Sequence, residues 1–332
     1  MKSSGNKVLV TGVSGFVGRA VAHDLLKAGW YIIAAVRRVQ DKENFGIVDE
    51  RLYWLIVGNI NSNTEWISDL YGVETVVHCA GRAHIMQKSE ENAISAYREA
   101  NVTSTLRLAQ QAAAAGVRRF IFLSSIKVNG EISAQGEALT EANTFAPQDA
   151  YAQSKVEAEQ GLIAISETTK MEIVIIRPPL VVGPGVKGNL ASVLRWVQIG
   201  VPLPLGAVHN LRSFVALDNL VSLVGLCVDH KKSPQAGNQV FVVADGEDLS
   251  TTMLLQKIAT AAGRPSRLIP VPTIFISVFA RMMGNKSLSI RLLGNLQVDA
   301  SKVRTLLGWR PVVTLDKQLL SMMEEYKRRS GL

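Results

Sequence analysis

The stretch Val10 to Gly18, VTGVSGFVG, constrains this chain more than any other. Ahead of it Lys7 to Val10 forms a short β-branched apolar run that reads as a buried parallel strand. Behind it Arg19 to Ala28 spaces its apolar residues for one helical face. Strand, glycine turn and helix in that order form the context of a dinucleotide site. Gly12 permits the turn out of the strand, Gly15 lets a pyrophosphate approach the backbone, and Gly18 lets the helix pack on the strand. The N–H groups and dipole of the helix N-terminus, from Ser14 through Phe16 and Val17, then face the phosphates. The spacing is Gly-x-x-Gly-x-x-Gly rather than the commoner Gly-x-Gly-x-x-Gly, and a glycine pattern alone also suits any turn in an α/β protein.

The chain continues to alternate. Strands are expected at Tyr31–Val36, Tyr53–Val57, Val73–Ala80, Arg119–Ser124, Glu172–Ile176 and Gln239–Ala244. Helices are expected at Asn92–Ala115, closed by Gly116, and at Tyr151–Ser166 and Thr251–Ala262. Repeated β-α units predict an α/β fold: a doubly wound parallel sheet of Rossmann type with helices on both faces. After Gly183-Pro184-Gly185 the elements shorten. A dinucleotide-binding domain over 1–180 and a smaller substrate-binding lobe over 181–332 are expected, with a soft boundary because later segments can return to the sheet.

Composition narrows the function. With 332 residues, 47% hydrophobic and 19% charged, the chain can bury a large core and is not disordered. No apolar core precedes the first strand, so no signal peptide is expected, and a cytoplasmic location follows. Leu268–Met283 is apolar but broken by prolines and Arg281; it is expected to be a buried helix rather than a membrane span, with a membrane-surface dock as the alternative. Cys79 and Cys227 read as core thiols in a reducing compartment, and the five histidines show no metal-ligand spacing, so no metal is expected. The net charge of +8 is scattered and lacks aromatic–basic motifs; it suits a ligand with several phosphates better than nucleic acid.

Tyr151 and Lys155 stand four apart on one helix face, where an ammonium would lower the phenol pKa and make Tyr151 an acid/base near neutral pH. Ser124 and Ser125 end a strand, where ligands sit in open α/β sheets. Glycine turn, strand-end Ser-Ser and Tyr-x-x-x-Lys together resemble the extended short-chain dehydrogenase/reductase family, in its NAD-dependent epimerase/dehydratase group acting on nucleotide sugars. Cys79-Ala80-Gly81, Asn101, Arg177-Pro178, Gly183-Pro184-Gly185, Arg212-Ser213-Phe214-Val215 and Leu307-Gly308-Trp309-Arg310-Pro311 extend the resemblance over nearly the whole chain.

The resemblance implies that Ser125, Tyr151 and Lys155 are catalytic, with Lys155 also holding the ribose. It implies cofactor contacts at Gly12, Ser14, Gly15, Phe16, Val17, Gly18, Asn59, Ile60, Cys79, Ala80, Gly81, Asn101, Ser124 and Pro178. Substrate contacts are implied at His84, Ser125, Asn189, Arg212 and Arg291, although His84 alone also suits a structural role and Arg291 a solvated helix face. A homodimer through the helices at 92–115 and 151–166 is also implied. Two departures matter. The second strand ends in Arg37-Arg38 where NAD-binding members carry an acid, which favours NADP(H) and leaves NAD(H) open if Asp41 or Glu43 reaches back. Sugar dehydratases follow their catalytic Thr with Asp-Glu, whereas Ile126-Lys127 follow Ser125 here, so dehydration lacks its acid. A 4-ketoreductase of a UDP-4-keto-6-deoxy-N-acetylhexose is the favoured function, as in the bacterial surface-polysaccharide branch that the C-terminal region resembles. A UDP-hexose 4-epimerase is the alternative, and a non-catalytic cofactor-binding regulator belongs to a third class.

Overall fold

A computed structural model describes residues 6–43, 45–82, 90–134, 136–282 and 286–330. The chain runs β1 (Lys7–Thr11), α1 (Phe16–Lys27), β2 (Tyr31–Val36), α2 (Val39–Glu43), β3 (Leu52–Ile56), β4 (Thr75–His78), α3 (Glu90–Arg98), α4 (Ser104–Ala114), β5 (Arg119–Leu123), α5 (Ala150–Thr168), β6 (Glu172–Arg177), β7 (Leu180–Val182), α6 (Asn189–Ile199), β8 (Phe214–Ala216), α7 (Leu217–Val228), β9 (Gln239–Val242), α8 (Thr251–Ala262), α9 (Thr273–Met282), α10 (Lys286–Leu293), α11 (Ser301–Leu307) and α12 (Leu315–Ser330). The long helix read at 92–115 is α3 and α4 joined by one π-helical turn at Glu99–Thr103.

Seven strands form one parallel sheet in the order β3-β2-β1-β4-β5-β6-β9, and β7 pairs with β8 in a small second sheet. The strands sit centrally because both of their faces are apolar. Val8 and Val10 of β1, Ile121 of β5 and Val174 and Ile176 of β6 point to a core shared with α1 and α7. Leu9, Phe120, Phe122, Ile173 and Ile175, at the alternate positions, point to a core shared with α4 and α5. β9 comes from the second half of the chain yet pairs with β6, Val174 opposite Gln239.

Strand order reverses between β1 and β4, whose last residues, Thr11 and His78, are register partners. The carboxyl ends of these two strands therefore open the crevice in which an open α/β sheet binds ligands. Part of the positive charge is internal to the fold. Arg119 is fully buried and donates to Glu172, to the Cys227 carbonyl at 2.7 Å and to Ser233.

One expectation fails here. The apolar run at 268–283 does not form a buried helix. In α9 only Ala280 is fully buried, while Phe275 and Phe279 are 64% and 66% exposed. An apolar run shows that a segment can be buried, not that anything in the fold covers it.

Candidate active site

The crevice begins where β1 ends. Gly12 has φ +72°, and a Cβ there would lie 2.7 Å from the Ala80 nitrogen. A Cβ at Gly18 would overlap the Gly12 carbonyl and press on Cys79. No other residue type fits these two places, which bring the first turn of α1 against the end of β4. The Gly15 N–H closes the turn on the Gly12 carbonyl at 2.8 Å. A cleft of about 500 Å³ results, lined by Gly12, Ser14, Gly15, Arg37, Asn59, Ile60, Cys79, Ala80 and Gly81 among others. Bare backbone over a helix N-terminus beside an apolar slot suits a dinucleotide. Phe16 lines the other flank of the turn, and Val17 packs into the sheet core.

The two strand-end arginines part company. Arg37 lines the cleft. Arg38 does not; its backbone N–H donates to Asp41 at 3.1 Å and its guanidinium pairs with the same carboxylate at 3.5 Å. Asp41 thus offsets the charge of Arg38.

Under the cleft lies a buried polar chain that the sequence reading missed. The Ala80 N–H donates to Thr11 Oγ1, which is 2.8 Å from His78 Nδ1. His78 Nε2 is 2.9 Å from Thr105 Oγ1, and that hydroxyl donates to the Asn101 carbonyl at 2.8 Å. The only assignment that satisfies every member puts the His78 proton on Nε2. Burial, with the nearby Lys155, pushes His78 down to about 3, so the ring is neutral. The Asn101 side chain holds the loop after β4 by accepting from the Arg82 N–H at 2.8 Å and donating to the Arg82 carbonyl at 3.0 Å. Cys79 is half-buried and Cys227 buried; both thiols are free, and burial raises both to about 12.

The catalytic candidates meet at the carboxyl end of β5. Asp149 caps α5 by accepting from the Ala152 N–H at 2.7 Å, which sets Tyr151 in the first turn and Lys155 one turn further on. The Lys155 Nζ donates to the Leu123 carbonyl at 2.8 Å and lies 4.3 Å from the Phe122 ring centre. A Cβ at Gly81 would stand 3.4 Å from that Nζ, so Lys155 faces the dinucleotide cleft. Burial pushes Lys155 down to about 8. The Ser125 hydroxyl, which accepts from the Lys127 N–H at 3.3 Å, stands close enough to the Tyr151 phenol to favour its ionised form.

The Tyr151 phenol does not follow the expected direction. Burial, helped by the negative charge of Asp149 and by Tyr97, pushes it up to about 12, against the pull of the Ser125 hydroxyl. Lys155 stands one helical turn away, but its ammonium is directed to the Leu123 carbonyl.

Ser124 points away from the cleft. Its hydroxyl donates to Glu159, which is fully buried and forms a forked ion pair with Arg177; Arg177 also donates to Asn129 at 3.0 Å. Pro178 is buried, and its carbonyl accepts from the Ile126 N–H at 3.0 Å. These contacts fix the loop that carries Ser125.

On the other side of Tyr151 lies a cluster of opposite charges. Lys127 pairs with Asp149 at 2.6 Å and with Glu131, and Arg291 of α10 approaches Glu131 at 3.5 Å and Asp149 at 3.8 Å. Burial alone would raise Asp149, but the hydrogen bonds from Lys127 and the Ala152 N–H outweigh it and hold the carboxyl below its ordinary value. Arg212 donates to the Gly294 carbonyl at 2.8 Å; burial pushes it down to about 10, opposed by Glu131 and reinforced by Arg291. Arg212 and Arg291 therefore reach one region beside Tyr151. Asn189 starts α6 with an exposed side chain, while Lys187, two residues earlier, lines the cleft. His84 lies outside the described residues. The roles of Asp149 and Glu131 were readable only in part: an Asp before an apolar helix signals a cap, and Glu131 stands four residues after Lys127. Among the described residues no group of His, Cys, Asp or Glu could hold a metal ion.

A model of the NAD dependent epimerase/dehydratase family matches residues 8–244. The chain belongs to this family. A Vibrio cholerae protein named UDP-glucose 4-epimerase is 43% identical over 312 residues, 93% of this chain and 92% of its own length. Among solved structures, the UDP-glucuronic acid 4-epimerase of Bacillus cereus in complex with NAD superposes with a TM-score of 0.79 at 20% identity, covering 97% of this chain and 96% of that one. The UDP-glucose 4-epimerase of Thermotoga maritima with UDP-glucose gives 0.74 at 20% identity, covering 98% and 99%. At such identity the two structures speak for the fold, a Rossmann-type epimerase/dehydratase architecture along the whole chain. The chain is thus an enzyme of the extended short-chain dehydrogenase/reductase family. Among its described residues no helix is long and apolar enough to cross a membrane.

Proposed function

We propose that this chain is a UDP-hexose 4-epimerase. The observation that carries the reading is the 43% identity, along nearly the full length, to a protein named UDP-glucose 4-epimerase. It reverses the preference for ketoreduction drawn from Arg37 and Arg38, because Asp41 pairs with Arg38 and leaves a weaker argument for a 2′-phosphate.

In this reading Gly12, Ser14, Gly15, Phe16, Gly18, Asn59, Ile60, Ala80, Gly81 and Lys155 hold the dinucleotide, with Asn101 fixing the loop that carries Gly81. When bound, that group supplies hydride acceptance and return. Tyr151 takes the proton of the sugar 4-hydroxyl and gives it back, and the nearby Ser125 hydroxyl orients that oxygen. A phenol near 12 stays protonated at neutral pH and cannot accept a proton, so Lys155 must stabilise its phenolate electrostatically when the substrate closes the site. Ile126, next to Ser125, has no proton to transfer, which speaks against elimination of water. Arg212 and Arg291 are the candidates for gripping the UDP diphosphate, with Asn189 further out.

The ketoreductase reading is kept by one observation: Arg37 lines the cleft at the end of β2, with no acid at that strand end. The test is to purify the protein without added nucleotide, identify any nucleotide extracted from it, and assay a UDP-sugar panel by mass spectrometry with and without NADPH. Bound NAD and interconversion without mass change support the epimerase. A two-hydrogen gain that requires NADPH overturns it.

A further inference from the structure

We propose that the exposed face of α9, with the end of α6 beside it, docks the protein on the surface of an anionic phospholipid bilayer. Ile274, Phe275, Val278, Phe279 and Met282 are 64%, 64%, 47%, 66% and 82% exposed. Their spacing puts them on one side of the helix. The other side is thin but anchored: Ala280 is buried and Ile276 packs on the cluster of Leu203, Leu205, Val208 and Leu255. The patch extends beyond α9. The Leu203 N–H bonds the Arg267 carbonyl at 2.9 Å and the Ile269 N–H bonds the Leu203 carbonyl at 2.8 Å, so the run after α6 lies parallel to the run that leads into α9, with the Gly200 carbonyl accepting from Arg267 at 3.1 Å. The Val201 N–H in turn bonds the Trp196 carbonyl at 3.0 Å, and Trp196, Ile199, Val201 and Ile269 are all exposed. Isolated exposed apolar side chains are ordinary; a contiguous set of this size, rich in aromatics, marks an interaction surface.

Charge identifies the occupant. Between residues 249 and 298 there are six lysines and arginines and no aspartate or glutamate; Lys257 and Arg291 pair with carboxylates outside the stretch, which leaves the arginines nearer α9 as its positive charge. Arg264 and Arg267 precede α9, Arg281 lies within it, and all three are exposed. A second copy of the chain docked face to face about a two-fold axis would bring these arginines toward their own counterparts, with no carboxylate in the stretch to answer them. Anionic lipid headgroups answer them directly, while Phe275, Phe279 and Met282 enter the boundary below and Trp196 sits at headgroup level. Ten residues of helix cannot span a bilayer, so α9 lies in the plane of the interface. The inference does not depend on which sugar reaction the site performs.

The full chain is sedimented with phosphatidylcholine vesicles with and without phosphatidylglycerol, and its oligomeric state is followed by analytical ultracentrifugation. We expect binding to the phosphatidylglycerol vesicles that weakens in high salt, and little binding to phosphatidylcholine alone. Phe275→Gln combined with Phe279→Gln should weaken vesicle binding about tenfold or more without moving the thermal transition, because both rings face solvent. Met282→Gln, at the most exposed position, gives a milder second variant. Absence of binding to anionic vesicles overturns the proposal, as does binding that neither variant changes. A dimer that both variants dissociate, without vesicle binding, would assign the face to a second copy instead.

Discussion

The two sides of the site are built from different physics. The cofactor side is fixed by backbone overlap at Gly12 and Gly18 and by buried hydrogen bonds running from Thr11 through His78 to Thr105. Its buried ion pair, Glu159 with Arg177, is fully enclosed. The substrate side is held by Lys127, Asp149 and Arg291, part-exposed charges that share partners with one another and with the buried Glu131. A buried network has one satisfied arrangement and is costly to break. Exposed, shared ion pairs contribute little each and exchange partners readily. In the proposed reading the geometry of hydride and proton transfer is thus held rigid, while the region proposed to meet the sugar and its diphosphate can rearrange when an anionic substrate arrives.

The comparison can be broken at four points. The largest effect belongs to Tyr151, where the two sides meet. Tyr151→Phe keeps the ring and removes the proton carrier; turnover should fall by about 10²–10⁴ with nucleotide affinity preserved in a fluorescence titration. Full turnover in that variant would remove Tyr151 from the mechanism.

Next is the enclosed pair. Arg177→Met leaves Glu159 buried without its partner and should cost about 3–5 kcal/mol in urea unfolding. A loss as small as that of a surface pair would mean that the cofactor side is not rigid in the sense argued here.

His78 sharpens the contrast through pH. The unfolded chain binds this proton near 6.5, whereas the folded ring holds it off until about 3. Between these values the unfolded state binds more protons, so stability falls as pH drops through the window. His78→Gln, which keeps one donor and one acceptor but cannot titrate, should start less stable and lose stability less steeply from pH 6.5 to 4 in thermal melts. Parallel curves would exclude His78 as the source.

The smallest effect is on the substrate side. Arg291 is 39% exposed and shares both of its carboxylates with Lys127. Arg291→Ala should change unfolding free energy by less than about 1 kcal/mol while raising KM severalfold at nearly constant kcat. A large stability loss would place Arg291 in the framework instead.

The same division governs what was legible in the sequence. The glycine turn, the strand ends at Ser125 and Gly81, and the Tyr151–Lys155 spacing are local patterns, and the parallel order of β1 to β6 follows from them. The cluster at Asp149 was not legible because it joins Lys127, Glu131 and Arg291 across the fold, and pairings of distant charges leave no periodic trace. The direction of the Tyr151 shift was misread for a related reason: helical spacing puts Lys155 one turn away, but burial and the Leu123 carbonyl decide where its ammonium acts. For α9, composition gave an apolar run and tertiary structure left much of it uncovered.

The most direct test of the central claim is proton NMR of UDP-glucose incubated with the purified protein and no added nucleotide. The epimerase account predicts a second anomeric signal, that of the 4-epimer UDP-galactose, growing to a constant ratio with no change in total UDP-hexose. A spectrum that stays unchanged with UDP-glucose and with UDP-N-acetylglucosamine, while a UDP-4-keto sugar is consumed only when NADPH is supplied, would contradict it.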